Sequence, residues 1–319
     1  MSTASSNRAL LLFGPTASGK TALLSDLFLG NRVPGLPRAE VVSADSMQVY
    51  RGLDIGTAKP DAALLRDLPH HLIDIRDPSE QYTAGDFVRE ADRACADIRS
   101  RGRLPVLSGG TAFYLKNFVC GLPDAPPADA RIRSEVERDL LQLGPEALRA
   151  ELESGDPESS ARIHPRDLYR LTRAVEVLRS AGRPLSSFKI PAEPRPGYDL
   201  LLIALNRSRE VLYERIESRV DAMFSAGLVR EVRNLLEAGC SERDPGMQGI
   251  GYREFLEARR AGCPRLRDVR DAIARDTRRY AKRQVAFFRT LPGVEWFDAE
   301  DAEGVGRRIL GWWSVDCGP

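Results

Sequence analysis

The sequence predicts an α/β protein in which a helical segment interrupts a parallel sheet. Short apolar runs alternate with segments of helical periodicity in the first third of the chain. Such alternation is typical of a parallel sheet with crossover helices. A charged helical stretch, residues 131–179, breaks the pattern before an apolar run resumes at 198–205. We therefore expect a core of residues 8–121 and 198–319, with a mainly helical domain, 122–197, inserted into it.

The period of the apolar residues places the individual elements. Prolines in residues 122–128, and Pro, Ser and Gly in residues 182–196, mark loops at both ends of the insertion. Strands are expected at residues 9–13, 41–42, 104–107 and 198–205. Helices are expected at residues 21–29, 87–99, 209–238 (interrupted at Gly227) and 269–288.

Composition excludes several classes of protein. The 319 residues include 47 Lys plus Arg and 46 Asp plus Glu, a net charge of +1. This balance excludes binding to nucleic acid by bulk charge, but not an enzyme whose positive charge lies on one face. The apolar run 200–205 is far shorter than the ~18 residues that span a bilayer. The five cysteines form no CxxC pair, so we expect reduced thiols in a cytoplasmic protein without a membrane segment or zinc site.

Residues 14–21 fit the phosphate-binding motif GxxxxGK[ST] between a predicted strand and a predicted helix. Its glycines let backbone N–H groups point inward, and the helix N-terminus adds positive charge. Lys20 supplies an ammonium for the terminal phosphates, and the Thr21 hydroxyl is a candidate ligand for Mg²⁺. A kinase, an ATPase and a diphosphate-displacing transferase all use such a loop. The residues expected to bind a diphosphate or triphosphate are Gly14, Pro15, Thr16, Ala17, Ser18, Gly19, Lys20 and Thr21.

Further stretches narrow the choice of reaction. Together with the phosphate loop, they closely resemble the tRNA dimethylallyltransferase (tRNA isopentenyltransferase) family, from residue 14 to about residue 297. The stretches are Ser43-Ala-Asp-Ser-Met-Gln-Val-Tyr50, Asp54-Ile-Gly-Thr-Ala-Lys-Pro60, His70-His-Leu-Ile-Asp-Ile75, Gly109-Gly-Thr-Ala-Phe-Tyr114, and Arg279-Tyr-Ala-Lys-Arg-Gln284 with Arg289.

The resemblance implies both a fold and a reaction. The fold is a P-loop NTPase-like parallel sheet with an inserted helical domain that binds tRNA. The reaction is transfer of a dimethylallyl group from dimethylallyl diphosphate to N6 of the adenine adjacent (3′) to the anticodon in tRNA, releasing diphosphate. The phosphate loop would then bind a prenyl diphosphate with Mg²⁺, and family precedent suggests a monomer.

Three residues are candidates for catalysis. The exocyclic amine of adenine is a weak nucleophile, and Asp45, after a predicted strand, suits the role of its general base. The resemblance assigns Asp45 this role; a ligand of Mg²⁺ or a partner of Thr21 is the alternative. Thr111 and Arg219 match a family threonine and arginine. They are expected to contact the adenine or the diphosphate, with a helix N-cap and a solvated helix face as the respective alternatives.

Basic residues predict where tRNA binds. One helical face carries Arg275, Arg278, Arg279, Lys282 and Arg283, and the insertion carries Arg162, Arg166, Arg170 and Arg173. Ordinary solvated faces are the alternative. The chain departs from the family at Ala286-Phe287, often Thr-Trp, and at Gly249, often Ala. The resemblance assigns tRNA contacts to Asp45, Ser46, Met47, Gln48, Thr111, Arg133, Tyr169, Arg170, Leu171, Thr172, Arg173, Gln248, Gly249, Ile250, Gly251, Tyr252, Arg253, Lys282, Arg283, Gln284 and Arg289.

Other functions stay open on the sequence. A P-loop small-molecule kinase would consume ATP, and a tRNA-binding module without catalysis would bind tRNA with no turnover. Members of the family that prenylate free adenine nucleotides are a further alternative, against which the inserted helices and the two arginine clusters argue. We interpret His70 and His71 as structural, because diphosphate leaves with Mg²⁺ and needs no general acid.

Overall fold

The computed structural model describes residues 7–30, 32–126, 129–188, 191–262 and 265–314. Within them lies a six-stranded sheet, in the order β3-β2-β4-β1-β5-β6, in which every pairing is parallel. The two edge strands, β3 and β6, are additions to the four predicted ones. The strands are β1 (Arg8–Phe13), β2 (Ala39–Ser43), β3 (His70–His71), β4 (Leu104–Gly109), β5 (Asp199–Asn206) and β6 (Val294–Asp298).

The central strand β1 is buried along its whole length because helices cover both faces of the sheet. Leu10 and Leu12 pack in the apolar core on one face, with Leu27. On the other face the ring of Phe13 lies 4.8 Å from the ring of Phe288, centroid to centroid. Phe13 also pairs with Gly109 of β4, so the carboxyl ends of these strands meet at one edge of the sheet.

Four helices lie in the described residues up to Cys120. The helix over Ala84–Ser100 begins with a capping box. The side chain of Thr83 accepts a hydrogen bond from the backbone amide of Asp86, and the side chain of Asp86 accepts one from the backbone amide of Thr83. This local signal explains why the helix begins three residues before the predicted residue 87. The helices are α1 (Lys20–Phe28), α2 (Ala62–Asp67), α3 (Ala84–Ser100) and α4 (Ala112–Cys120).

The chain divides into two compact units, one from Met1–Val119 with Arg195–Pro319 and one from Cys120–Pro194. The second unit has its own apolar core, which includes Val136, Leu152 and Val175. Its buried Asp156 accepts hydrogen bonds from Ser159 and Ser186, which hold the pKa of the carboxyl at about 2 although burial opposes them. The predicted domain boundaries stay a prediction. The helices of this unit are α5 (Ala130–Leu143), α6 (Pro145–Gly155), α7 (Pro157–Arg162) and α8 (Leu168–Ala181).

After the second unit, the chain returns to the sheet through β5. Gly227, at φ 105°, ends one helix and starts the next, at the predicted interruption. Only glycine adopts this backbone conformation without strain. The remaining helices are α9 (Arg209–Ala226), α10 (Leu228–Glu237), α11 (Arg253–Arg260), α12 (Leu266–Phe288) and α13 (Ala302–Ser314).

The structure also bears on the predictions about membrane segments and about the cysteines. In the part of the chain that the structure describes, no helix is both long and apolar enough to cross a membrane. Cys95 and Cys240 are free thiols, Cys120 is buried, and burial raises the pKa of Cys95 to about 12. Cys263 and Cys317 lie outside the described residues.

Candidate functional site

The phosphate loop, residues 14–21, connects β1 to α1. Its backbone turns through positive φ at Ala17 (62°) and Gly19 (105°), a geometry that directs successive N–H groups to one side. The ammonium of Lys20 folds back over the loop and donates to the carbonyl oxygens of Gly14 and Pro15 at 2.9 and 3.0 Å. The loop therefore has the concave, positively charged form that binds phosphate groups.

Two arginines that sequence reasoning missed hold the loop in place. Nε of Arg207 donates to the carbonyl of Ser18, and Nε of Arg215 donates to that of Ala17, both at 2.8 Å. Arg207 is fixed in turn by an ion pair with Glu300 at 2.8 Å. Because these contacts occupy two carbonyl oxygens of the loop, they stabilise its conformation.

A first cavity of about 520 Å³ opens above the loop. Burial lowers the pKa of Lys20 to about 8, with a contribution from the charge of Arg219, whereas Asp45 opposes the shift. Burial also lowers the pKa of Arg219, again opposed by Asp45. Arg219 has no ion pair or hydrogen bond to any described residue. These cations lie together around one carboxylate, so the first cavity suits an anion of high charge. The residues that define it include Thr16, Lys20, Thr21, Asp45, Arg215, Arg219 and Tyr280.

Asp45 and Thr111 lie in the turns that follow β2 and β4. Oδ1 of Asp45 accepts from the amide of Met47 at 2.9 Å, while Oδ2 has no partner in the described ranges. The amide of Thr111 donates to the carbonyl of Ala44 at 3.1 Å. A Cβ atom at Gly109 would lie 2.1 Å from that carbonyl oxygen, so only glycine allows this approach of the two turns. The carboxylate is thus held firmly and keeps one oxygen for a ligand.

A second cavity of about 310 Å³ adjoins the first, and Thr16, Asp45, Arg219 and Tyr280 line both. Asp45 therefore lies where the two cavities adjoin. The second cavity is more apolar, and its lining includes Met47, Ile216, Val220, Met223, Gln248, Gly249, Ile250, Arg253, Ile273 and Arg283. A Cβ at Gly249, where the family often has Ala, would lie 2.3 Å from Cε of Met47.

Glu231, on α10, organises the wall of the second cavity. Its carboxylate accepts from the backbone amides of Asp54, Ile55 and Gly56 at 3.0, 2.7 and 3.1 Å, and from the hydroxyl of Tyr252 at 2.7 Å. Burial and Glu231 raise the pKa of Tyr252. A Cβ at Gly56 would lie 2.6 Å from the Tyr252 ring. One carboxylate thus ties the loop at residues 54–56 to the turn before α11. Sequence reasoning did not identify Glu231 as part of the site.

Several predicted tRNA contacts have internal partners. The side chain of Gln48 accepts from Ser43 Oγ at 3.1 Å and donates to the carbonyls of Thr57 and Ala58, both at 3.3 Å. Tyr252 is fully buried. Gln284, also buried, bridges Thr16 and Gly110. Whether these side chains contact RNA stays a prediction.

The basic face of α12 divides into two parts. Arg275 and Arg279 form ion pairs with Asp276, at 3.0 and 3.3 Å, and Arg278 pairs with Glu217. By contrast Lys282, Arg283 and Arg289 are exposed and have no ion pair with a described residue. Uncompensated positive charge is therefore concentrated at the C-terminal end of α12.

In the second unit, Arg133 and Arg173 share one carboxylate. Both lie against the buried Glu176, at 3.4 and 3.3 Å. Tyr169 is 72% exposed, and Arg170 pairs with Asp167 at 2.8 Å. The other predicted contacts of this unit are Leu171, which is buried, and Thr172, whose hydroxyl donates to the Tyr169 carbonyl at 3.0 Å.

The two histidines have partners within the protein, and His70 also lines the first cavity. A ring nitrogen of His71 lies 2.6 Å from the buried Glu40, which also pairs with Arg101 and Arg103. Nδ1 of His70 lies 2.7 Å from the carbonyl oxygen of Leu68. Across the described ranges no three His, Cys, Asp or Glu residues form a metal-binding group. A divalent ion here would take ligands mostly from phosphate and water, the mode that Mg²⁺ prefers.

The parallel sheet with its phosphate loop defines a P-loop α/β protein whose anion site faces a carboxylate. Comparison with known proteins is more specific. The family model described as IPP transferase matches residues 48–291. The tRNA dimethylallyltransferase of Geobacter sulfurreducens is 44% identical over 298 residues, which cover 92% of this chain and 93% of that relative. That of Halorhodospira halophila is 46% identical, covering 92% and 93%. The chain belongs to the IPP transferase family.

Two solved structures have a fold similar to that of this chain. A tRNA isopentenylpyrophosphate transferase from Bacillus halodurans superposes with a TM-score of 0.68 at 36% identity, covering 96% of each chain. A eukaryotic dimethylallyltransferase, described as acting on tRNA, gives a TM-score of 0.74 at 27% identity and covers 97% of this chain and 76% of that one. The predicted α/β fold is therefore confirmed.

Proposed function

We propose that this chain transfers a dimethylallyl group from dimethylallyl diphosphate to N6 of the adenine adjacent (3′) to the anticodon in tRNA, releasing diphosphate. The observation that carries the proposal is the position of Asp45, which lines both the cavity above the phosphate loop and the adjoining apolar one. Membership of the IPP transferase family supports the same reaction.

The first cavity supplies positive charge that stabilises the diphosphate leaving group. When the allylic C–O bond breaks, its electron pair goes to the diphosphate oxygen, where negative charge develops. The loop amides, Lys20 and Arg219 stabilise this charge in place, and removing one such donor typically costs about 2.7–4 kcal/mol. Arg215 lines the same cavity and adds a further cation.

Magnesium fits the residues present at the loop. Thr21, in the first turn of α1, is exposed and offers a hydroxyl oxygen. Thr21 would hold the ion together with diphosphate oxygens and water, because the described residues provide no cluster of three carboxylate, imidazole or thiolate ligands. When bound, Mg²⁺ neutralises charge on the diphosphate.

Asp45 is the base in this proposal. The adenine N6 attacks the allylic carbon, the new C–N bond forms, and the proton of N6 passes to the free Oδ2. Base catalysis of this kind contributes about 10²–10⁴-fold. The target base must leave its stack to reach a carboxylate between two cavities. That costs a few kcal/mol and is easiest from a loop such as the anticodon loop.

Positive charge on two parts of the chain would hold the tRNA backbone. In the first unit this charge is carried by Lys282, Arg283 and Arg289, which are exposed and without described ion-pair partners. In the second unit Arg133 and Arg173 share the single charge of Glu176 and so retain net positive charge. Phosphate contacts of this type give affinity that falls steeply with salt. The monomeric state suggested by family precedent and a cytoplasmic location both stay predictions.

Incubation with dimethylallyl diphosphate, Mg²⁺ and unmodified tRNA, followed by nucleoside mass spectrometry, tests the proposal. We expect adenosine that carries one added C5H8 unit, at the position 3′ of the anticodon. A small-molecule kinase would instead release ADP from ATP, and a binding module would retain tRNA without product. Product on free adenosine monophosphate, with none on tRNA, would indicate a prenyltransferase of adenine nucleotides.

A further inference from the structure

Gln284 lies inside the protein on a helix whose neighbouring residues face outward. It is 2% exposed, whereas Lys282 and Arg283, immediately before it, are exposed. Ala281 and Phe288, at spacings of three and four residues from Gln284, are buried with it. The side chain therefore points away from the exposed face that carries Lys282 and Arg283 and toward the first cavity, which it lines.

The carboxamide of Gln284 connects the two halves of the site. Oε1 accepts from the amide of Thr16, in the phosphate loop, at 2.9 Å. Nε2 donates to the carbonyl of Gly110, next to Thr111, at 2.6 Å. The hydroxyl of Tyr280, one turn earlier, donates to the same carbonyl at 3.3 Å. A Cβ at Gly110 would lie 2.4 Å from Nε2, so the turn has room for this contact only with glycine.

We infer that Gln284 is a positioning residue that sets the separation between the phosphate loop and the Asp45–Thr111 turns, rather than a contact to tRNA. The inference rests on the proposed function for its chemistry. The diphosphate departs from the phosphate loop, and the nucleophile loses its proton to Asp45. The side chain of Gln284 connects the loop to the turn next to Thr111. A misplacement of about 1 Å between reacting groups costs about 10²-fold in rate.

Two substitutions separate the two contacts. Gln284→Asn keeps the carboxamide but shortens it by one methylene, so it cannot reach both partners. Gln284→Glu keeps the length and the acceptor for the Thr16 amide but replaces the donor to Gly110 with a charged oxygen. Tyr280→Phe keeps the ring and removes the hydroxyl that bonds to the carbonyl of Gly110 and also interacts with Thr111 and Gln284, and it is the variant least able to disturb folding. Gln81→Asn is the matched comparison, since Gln81 is an exposed glutamine that lines neither cavity.

The measurements are kcat, KM for each substrate, the tRNA Kd with its salt slope, and Tm. For Gln284→Asn and Gln284→Glu we expect kcat to fall about ten- to a hundredfold, with tRNA Kd and salt slope within about twofold of the parent. Tyr280→Phe should show a smaller loss in kcat of the same kind. Gln81→Asn should leave kcat, both KM values and the tRNA Kd unchanged.

Unchanged kcat in both Gln284 variants would overturn the inference, as would a tenfold weaker tRNA Kd with normal kcat. Should a Gln284 variant lose its fold, as shown by Tm, the kcat of Tyr280→Phe decides in the same way. Turnover of the parent enzyme tests the proposed function separately. If the parent shows none, binding of inorganic diphosphate with Mg²⁺ decides: weaker binding in Gln284→Asn supports the inference, and equal binding contradicts it.

Discussion

The hydroxyl of Thr111 accepts a hydrogen bond from the backbone amide of Ser46 at 2.9 Å, and in turn faces Ser46 Oγ at 3.2 Å. The contact joins the turns after β4 and β2. Asp45 immediately precedes Ser46, so the position of its carboxylate depends on Thr111 through the backbone of Ser46. Thr111→Val, which keeps the shape and removes the acceptor, should therefore lower kcat by about tenfold or more through displacement of Asp45. A Val variant with normal kcat would remove Thr111 from the site.

Asp45→Asn tests the base. The amide keeps the size of the side chain but cannot take a proton, so kcat should fall by about 10²–10⁴-fold. The tRNA Kd should stay within about twofold of the parent, because the contact surface is otherwise unchanged. Asp77→Asn, at an exposed aspartate paired with Arg51, is the matched control and should leave both quantities unaltered. Normal turnover by Asp45→Asn would exclude Asp45 as the base.

The pKa of Lys20 predicts a pH dependence. Burial and Arg219 lower it to about 8, so in the free enzyme the ammonium loses its proton as pH rises through that value. Because the charged form binds phosphate, kcat/KM for dimethylallyl diphosphate should fall above about pH 8. In Lys20→Arg the guanidinium stays charged, so the falling limb should move to higher pH even if the rate is lower. A limb that stays at pH 8 in this variant would assign it to another group.

Ion pairing predicts which basic residues of α12 contribute most to tRNA binding. Replacing both Lys282 and Arg283 with Ala should weaken binding and reduce the slope of log K against log salt by about 1.4–1.8, because each phosphate contact contributes about 0.7–0.9. Replacing Arg275 and Arg279, which Asp276 already pairs, changes formal charge equally and should reduce the slope less. Equal effects of the two double variants would show that only net charge counts.

Gly109→Ala should disrupt the site through sterics alone. The new Cβ would lie 2.1 Å from the carbonyl oxygen of Ala44, a backbone atom that cannot move without shifting β2. We expect a loss of stability of about 1–3 kcal/mol or more and a large loss of kcat. Gly311→Ala, in α13 where the added methyl meets no atom within 4 Å, should be neutral or stabilising. Thermal unfolding of both variants checks the contrast.

Much of the fold was predictable because the periods of its central elements are strong. Strands such as β1 and β5 are buried on both faces and therefore read as continuous apolar runs. The edge strand β3 has two residues, both histidine, and β6 is half exposed, so neither carries such a run. Their pairing comes from the neighbouring strand rather than from local preference.

The candidate site was predictable where its residues are contiguous. The phosphate loop is one segment of chain, whereas Arg207, Arg215 and Glu231 reach the site from distant helices or loops and resemble ordinary surface charges in the sequence. Gln284 follows basic residues and so resembles part of their face. The spacing of the buried Ala281, Gln284 and Phe288 is the signal that could have separated it from them.

The central claim is that a prenyl diphosphate above the phosphate loop is displaced by an adenine at Asp45. Its most direct test is a single-turnover reaction of labelled dimethylallyl diphosphate with unmodified tRNA and Mg²⁺, run with the parent protein and with Asp45→Asn. The account predicts labelled N6-dimethylallyl adenosine next to the anticodon with the parent protein, and at least about a hundredfold slower formation with the variant. Consumption of ATP with no labelled tRNA, or equal rates for the two proteins, would contradict it.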